Sequence, residues 1–194
     1  MNKHALIILI PILLLFFNNA CNNNDSKQYN FESPVISNDT CKVVSHDHYF
    51  FECYGEFLNP EELQNHFSKQ FIIHKEIASV YSDSSMIDTL YRIVKNNSFI
   101  KFLYGKSTDE KETMQIVSAN INGPEFVMTN GLKTGLEKTI VLNMLFGKGY
   151  NHDLNKINNY KIATALEGLW INLRFTDEKL SKISIDSDYQ LNQK

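Results

Sequence analysis

No stretch of this 194-residue chain gathers lysine and arginine densely enough to neutralise a run of phosphates; 19 basic residues stand against 22 acidic ones, for a net charge of −3. Nucleic-acid binding rests on a clustered basic surface that releases counterions, so that class of partner is set aside. The chain also lacks an apolar run of the roughly 20 residues a helix needs to cross a bilayer core. Its longest run, Ala5 to Phe17, has 13 residues and includes Pro11. Absent too are the Gly-x-Ser-x-Gly elbow, the His-Glu-x-x-His pair, the phosphate-binding glycine loop and the dinucleotide fingerprint. Nothing therefore nominates a catalytic residue or a cofactor, and the chain is read as a protein without enzymatic activity. What is there is ordinary: 43% apolar and 12% aromatic residues, the balance of a folded globular protein with room for one or two small domains.

The apolar run has the length of a signal-peptide core, and Lys3 supplies the positive charge ahead of it. Ala20, a small residue, stands immediately before Cys21. This order resembles the bacterial lipoprotein signal, although Asn18 stands where that family usually has an aliphatic residue. The resemblance implies removal of residues 1–20, a diacylglyceryl group joined to the Cys21 sulfur, and acylation of the new N-terminus. Ordinary secretion is the other reading of the same residues. Cleavage removes only Lys3 among the charged side chains, leaving 18 basic against 22 acidic residues and a net charge of −4. Acyl chains hold a protein stably because each buried methylene contributes about 0.8 kcal/mol. Residues 21–40, polar and poor in aliphatics after the cysteine, read as a lipidated flexible tether. By the same resemblance, Asn22 in place of Asp points to the outer membrane.

Cys41 and Cys53 are the pair left in an oxidising compartment once Cys21 is lipidated. Between them, CKVVSHDHYFFEC reads as two β-rich runs, 42–45 and 48–54, about a polar turn. This predicts a disulfide; two buried free thiols are the alternative. Closing such a loop removes about 3 kcal/mol of unfolded-state entropy in the chain model.

Asn59-Pro60-Glu61-Glu62 is a helix start: Asn caps, Pro takes the first helical position, and the second Glu reaches back to the cap. Leu63, Phe67 and Phe71 then fall four apart on one buried stripe. Runs of strand composition follow at 77–82, 86–94, 98–104 and 113–121. A second helix is expected from Thr134 as cap with Glu137 completing the box, Leu136, Ile140, Val141, Met144 and Leu145 as its apolar face, and Gly147 as its stop. Beyond it, Leu169, Ile171, Leu173 and Phe175 alternate with Trp170, Asn172 and Arg174, a strand with one wet face. A turn at Asp177-Glu178 leads to another strand over 180–186, and 161–167 is a candidate third.

The two halves echo each other. Phe67-Ser-Lys-Gln follows the first helix as Phe146-Gly-Lys-Gly follows the second, and IKFLYGKSTDEK (100–111) parallels INLRFTDEK (171–179). The expected class is α+β: two short helices on an antiparallel sheet, with two tandem helix-meander units, 41–125 and 126–194, as the reading if the echo is a duplication. GLKTGLEKTIVLNMLFGKG followed by LWINLRFTDEKLSKISI resembles the pattern of small envelope lipoproteins of the β-lactamase-inhibitor-protein-like type. That resemblance covers about residues 131–186 and, more faintly, 56–121. It implies a protein-binding module, either an assembly subunit or an inhibitor of a hydrolase.

His46-Asp47-His48 is the most suggestive polar cluster, because two imidazoles flanking a carboxylate can ligate zinc or copper. A site needs three or four ligands, and no diagnostic partner lies nearby, so no metal is assigned. His152-Asp153 in an Asn-rich loop reads as turn chemistry. Trp170, the sole tryptophan, shares a strand face with Arg174, and both types are enriched at binding hot spots; packing of Trp170 under a loop competes with that reading. The expectation is a lipid-anchored envelope protein, tethered to the outer membrane, that binds another envelope protein through a sheet surface containing Trp170 and Arg174. Hydrolase inhibition and a small-ligand or metal site at His46 and His48 are the alternatives.

Overall fold

The computed structural model describes residues 29–46, 53–80, 87–106, 112–164, 168–188 and 191–192. The leader and Cys21 lie outside them, as do Asp47 and His48. In chain order the elements are β1 (Val35–Ser37), β2 (Thr40–Ser45), α1 (Pro60–Phe67), β3 (Ile72–Val80), β4 (Ile87–Lys95), β5 (Ser98–Lys106) and β6 (Glu112–Ile121). There follow α2 (Lys138–Phe146), a 3-10 turn (His152–Lys156), β7 (Asn159–Thr164), β8 (Leu169–Thr176), β9 (Lys179–Ser187) and β10 (Leu191–Asn192). The expected class holds: two short helices lie on a largely antiparallel sheet. Its ten described strands run in the order β1-β2-β7-β8-β9-β6-β5-β4-β3-β10. The exception to antiparallel pairing is β2, which runs parallel to β7 from Thr40↔Asn159 to Ser45↔Thr164.

The helix start at Asn59 forms as the sequence dictates. Its Oδ1 accepts from the amides of Glu61 and Glu62 at 3.1 and 3.0 Å. Glu62 reaches back one residue further than expected, to the Leu58 amide at 2.9 Å, and accepts from the cap's own side-chain amide at 3.2 Å. Leu63 and Phe67 are buried, and Phe71, past the end of α1, packs partly against the same core.

The second helix begins later than Thr134. Gly135 sits in a turn at φ +89°, outside helical space, and residues 136–137 then run beside the start of β9. The Gly135 amide donates to the Leu180 carbonyl (2.7 Å), and the Leu180 amide to the Leu136 carbonyl (2.9 Å). These bonds occupy the stretch of β9 that β6 leaves free, since the β6–β9 ladder stops at Ile121↔Ile183. Thr134 is buried and caps nothing. With the start shifted, Leu142 joins Val141 and Leu145 in the core and Ile140 is exposed. Gly147, at φ +79°, ends the helix as expected, a backbone conformation that glycine adopts without steric cost.

One core joins everything. Leu63 and Phe67 of α1 and Val141, Leu142 and Leu145 of α2 share a cluster with inward residues from β2 and from β4 to β9. Both helices therefore cover the same face. On the opposite face Leu90, Leu103 and Val117 form a second, small cluster. Val117 is the extra residue of a bulge, where the register steps from Lys101↔Ser118 to Phe102↔Ile116.

The sheet is curled. Residues 188–190 alone link β9 to β10, yet β6, β5, β4 and β3 lie between those strands in the sheet. Four Cα steps reach about 14 Å, whereas five strand spacings on a flat sheet cover about 24 Å. Only a sheet whose far edge bends back allows the connection, and bulges such as that at Val117 supply extra twist.

The folded part also extends further toward the N-terminus than the composition of 22–40 suggests. β1 is an edge strand, Phe31 bridges to Ser45, and Tyr29 and Phe31 pack partly against the core. Two aromatics in an otherwise polar stretch are enough to fasten it.

Candidate functional site

Along β2, β7, β8 and β9 no described helix covers the face of the sheet opposite the core, and strand register sets out what it presents. Along β8 the burial alternates as read from sequence: Leu169, Ile171, Leu173 and Phe175 point into the core, so Trp170, Asn172 and Arg174 face away. Across β2, β7, β8 and β9 this face carries three rows, Thr40-Asn159-Arg174-Lys182, Lys42-Lys161-Asn172-Ser184 and Val44-Ala163-Trp170-Asp186. Trp170 and Arg174, the two residues singled out from sequence, share this surface. Trp170 is half-buried, with the Lys161 Nζ 5.0 Å from its ring centre, a cation over an aromatic face. Arg174 is exposed.

A shallow hollow of about 360 Å³ lies here, lined by Asn159, Lys161, Asn172, Arg174, Lys182 and Ser184 among others. Asp186 is the one carboxylate in the three rows, and Asn172 Nδ2 donates to it at 2.9 Å. The pairing of Arg174 with Lys182 is set by a bulge: Arg174↔Lys182 is followed by Phe175↔Leu180, leaving Ser181 as the extra residue. Ser181 Oγ donates to the Arg174 carbonyl at 3.0 Å and holds the bulge. The extra residue lets Leu180 and Ile183 both face inward while Lys182 faces out.

Sequence inspection named Trp170 and Arg174 but not Lys42, Lys161 or Lys182. Alternation along β8 was visible within eight residues, whereas Lys42 meets Lys161 only because β2 pairs with β7. Nothing local signals that pairing.

Cys41 and Cys53 are not joined in the structure; both are free, buried thiols. Most of the second run of the hairpin expected to bring them together, residues 48–52, lies outside the described residues. β2 turns at Asn38-Asp39 and pairs Cys41 with Ile36 on one side and Tyr160 on the other, while Cys53 lies in a turn whose carbonyl accepts from the Thr129 amide at 2.8 Å. Burial raises both thiol pKa values, that of Cys53 to about 12, so neither is a nucleophile at neutral pH. Burial also raises the Tyr160 hydroxyl, with the nearby Cys41 adding to the effect.

His46 is exposed, its Nε2 3.1 Å from Glu32 Oε1; Asp47 and His48 of the same motif are outside the described residues. Asp153 pairs with Lys156 at 2.8 Å inside the 3-10 turn, as turn chemistry would have it. Among the described residues no group of three or more His, Cys, Asp or Glu is placed to hold a metal ion. None of the described helices is long and apolar enough to cross a membrane.

Lys138, at the start of α2, was missed from sequence. It is 1% exposed, and its Nζ donates to the Asn155 carbonyl at 2.6 Å and to Asn158 Oδ1 at 3.0 Å. The same Nζ lies 5.6 Å from the Phe175 ring centre. A lysine opening a helix reads as solvated; here the 3-10 turn folds over it and supplies the acceptors that make its burial tolerable.

Compared with protein-family models, with curated proteins and with solved structures, the chain matches none.

Proposed function

We propose that the protein is a lipid-anchored component of a bacterial envelope whose folded domain binds another protein through the uncovered face of β2, β7, β8 and β9, without catalysis. The observation that carries the reading is the placement of Trp170 and Arg174 on that one face, with Lys161 over the Trp170 ring and Arg174 and Lys182 lining a shallow hollow. Aromatic and arginine side chains on a broad polar surface are the composition of an interface centre. The address rests on the order of Lys3, the apolar run, Ala20 and Cys21 in the sequence, which argues for a leader removed before a lipidated cysteine, and on Asn22 after it, which argues for the outer membrane.

The domain is further proposed to be two helix-meander units. In its favour, the carbonyl of Phe57, ahead of α1, accepts from Met114 at the start of β6 (3.1 Å), and that of Leu136, ahead of α2, accepts from Leu180 at the start of β9 (2.9 Å). Each helix lead-in thus bonds to the last strand of its own meander, and those last strands pair antiparallel with each other.

The test is a photo-crosslinking amino acid in place of Trp170, with one at the exposed Asn143 on α2 as comparison, in cells making the full chain. A protein adduct formed from position 170 and not from 143 is expected; adducts at both or neither would sink the reading. Intact mass of the purified product reports the address, and an unmodified Cys21 would refute it.

A further inference from the structure

The four cations of the open face are arranged against the interest of the fold. Lys42 lies directly across from Lys161, and Arg174 directly across from Lys182; like charges facing each other across a ladder destabilise a sheet. Carboxylates are not scarce, since 22 acidic residues stand against 19 basic ones, and elsewhere they are used. Glu76 meets Lys101, Asp153 meets Lys156 and Glu137 meets Lys179. No such ion pair reaches any of the four open-face cations among the described residues, and Asp186 beside them is taken by Asn172. The Ser181 bulge directs Lys182 to this face, where it meets Arg174. Bulges that re-aim a side chain are over-represented beside functional sites.

Taken in register, the cations form a diagonal line. Lys182 and Arg174 occupy one row, Lys161 and Lys42 the next, on β9, β8, β7 and β2 in that order. The line covers three strand spacings, about 14 Å, and an extended chain shows alternate side chains on one side about every 7 Å. Three carboxylates at alternating positions therefore match its length.

We propose that this line receives an acidic segment of a partner protein, extended and laid across the strands, with carboxylates pairing to Lys182, Arg174, Lys161 and Lys42. The proposal rests on the reading of this face as the protein-binding one. Arg174 offers a planar fork that can hold one carboxylate at two points. Thr40, Asn159, Asn172 and Ser184 complete the same two rows beside the cations and supply hydrogen-bonding groups suited to a peptide. An anionic lipid surface is the less fitting occupant, because surface docking on a bilayer gains from several inserted apolar side chains, and among the described residues in register with the cation line only Val35, at the β1 edge across from Lys42, is large, apolar and exposed.

The mature full-length chain carrying Cys21→Ser, so that no acyl group enters a vesicle, is titrated with three probes. These are the acetylated peptide Gly-Glu-Thr-Glu-Thr-Glu-Gly, its counterpart with Gln for Glu, and phosphatidylglycerol vesicles. The Glu peptide is expected to bind, more weakly as salt shortens the Debye length below about 10 Å, and the Gln peptide is not. Arg174→Gln with Lys182→Gln should lower affinity by about tenfold or more while raising the thermal midpoint, because a repulsive pair is removed. Lys69→Gln with Lys148→Gln, both exposed and away from this face, should leave binding unchanged. Failure of the Glu peptide to bind, equal loss in the comparison variant, capture by vesicles in place of the peptide, or a lowered midpoint in the open-face variant each overturns the inference. A Trp170-position crosslink that survives Arg174→Gln with Lys182→Gln overturns it and leaves the protein-binding reading intact. Peptide binding with no crosslinked protein counts against that reading alone.

Discussion

The backbone amide of Lys138 donates to the carbonyl of Glu178 at 2.8 Å, while the Lys138 ammonium sits 3.9 Å from the Glu178 carboxylate. Glu178 and Asp177 form the β8–β9 turn with both residues at positive φ, 57° and 50°, a conformation that suits the strand twist and that aspartate tolerates but that costs glutamate. The first turn of α2 thus fastens to the hairpin tip twice, and the strain is held by a contact the helix supplies. Replacing Lys138 with Ala leaves the Asn155 carbonyl and Asn158 side chain without their buried donor and opens a void. The expected loss is about 3 kcal/mol, read as a fall of roughly 6–12 °C in the thermal midpoint.

The cap at Asn59 is simpler. Its Oδ1 satisfies two first-turn amides and its side-chain amide holds Glu62. Asn59→Ala should destabilise the protein by about 1 kcal/mol and Asn59→Asp by much less, measured by urea unfolding.

Cys53 gives the fold an alkaline limit. Its thiol titrates at about 12 when folded against a usual value of 9.0, so above pH 9 the unfolded chain releases a proton that the folded chain keeps. Stability is therefore full below that pH and falls as pH rises from 9 toward 12, with Tyr160, also raised by burial, adding to the decline from its usual 10.0 upward. Urea midpoints between pH 7 and 11 should drop with Cys53 present and drop less in Cys53→Ala after allowance for its lower starting stability. Thiol counting checks the unjoined state: the chain carrying Cys21→Ser should yield two reactive thiols when unfolded without reductant and none when native. A count of zero in the unfolded chain would mean a bridge.

Trp170 is the sole tryptophan, so fluorescence reports on the open face alone. With Lys161 over the ring and Arg174 on the same strand face, iodide should quench it more than caesium does. Lys161→Gln should narrow the difference.

Much of the architecture was legible because its signals are local. The burial of every second residue from Leu169 to Phe175, the Asn59-Pro60 start and the Gly147 stop each depend on residues within one turn or one pleat. The start of α2 was misread because Thr134 and Glu137 carry the spacing of a capping box, yet Leu180 offers residues 135–137 a ladder, and backbone pairing outweighed the local cap. The cation line and the Lys138 pocket were invisible for one reason: each is assembled from segments that meet only through long-range pairing.

That pairing also orders events in time. β2 joins β7, in the second half of the chain, and β10 joins β3, in the first, so each terminus is stitched to the half more distant in sequence. The ladder that secures β2 has to wait until residues 159–164 have been made, and contacts of such long separation form slowly. For that interval β2 has only β1, its neighbour across a two-residue turn, to pair with. The strands made first are the last to be locked into place.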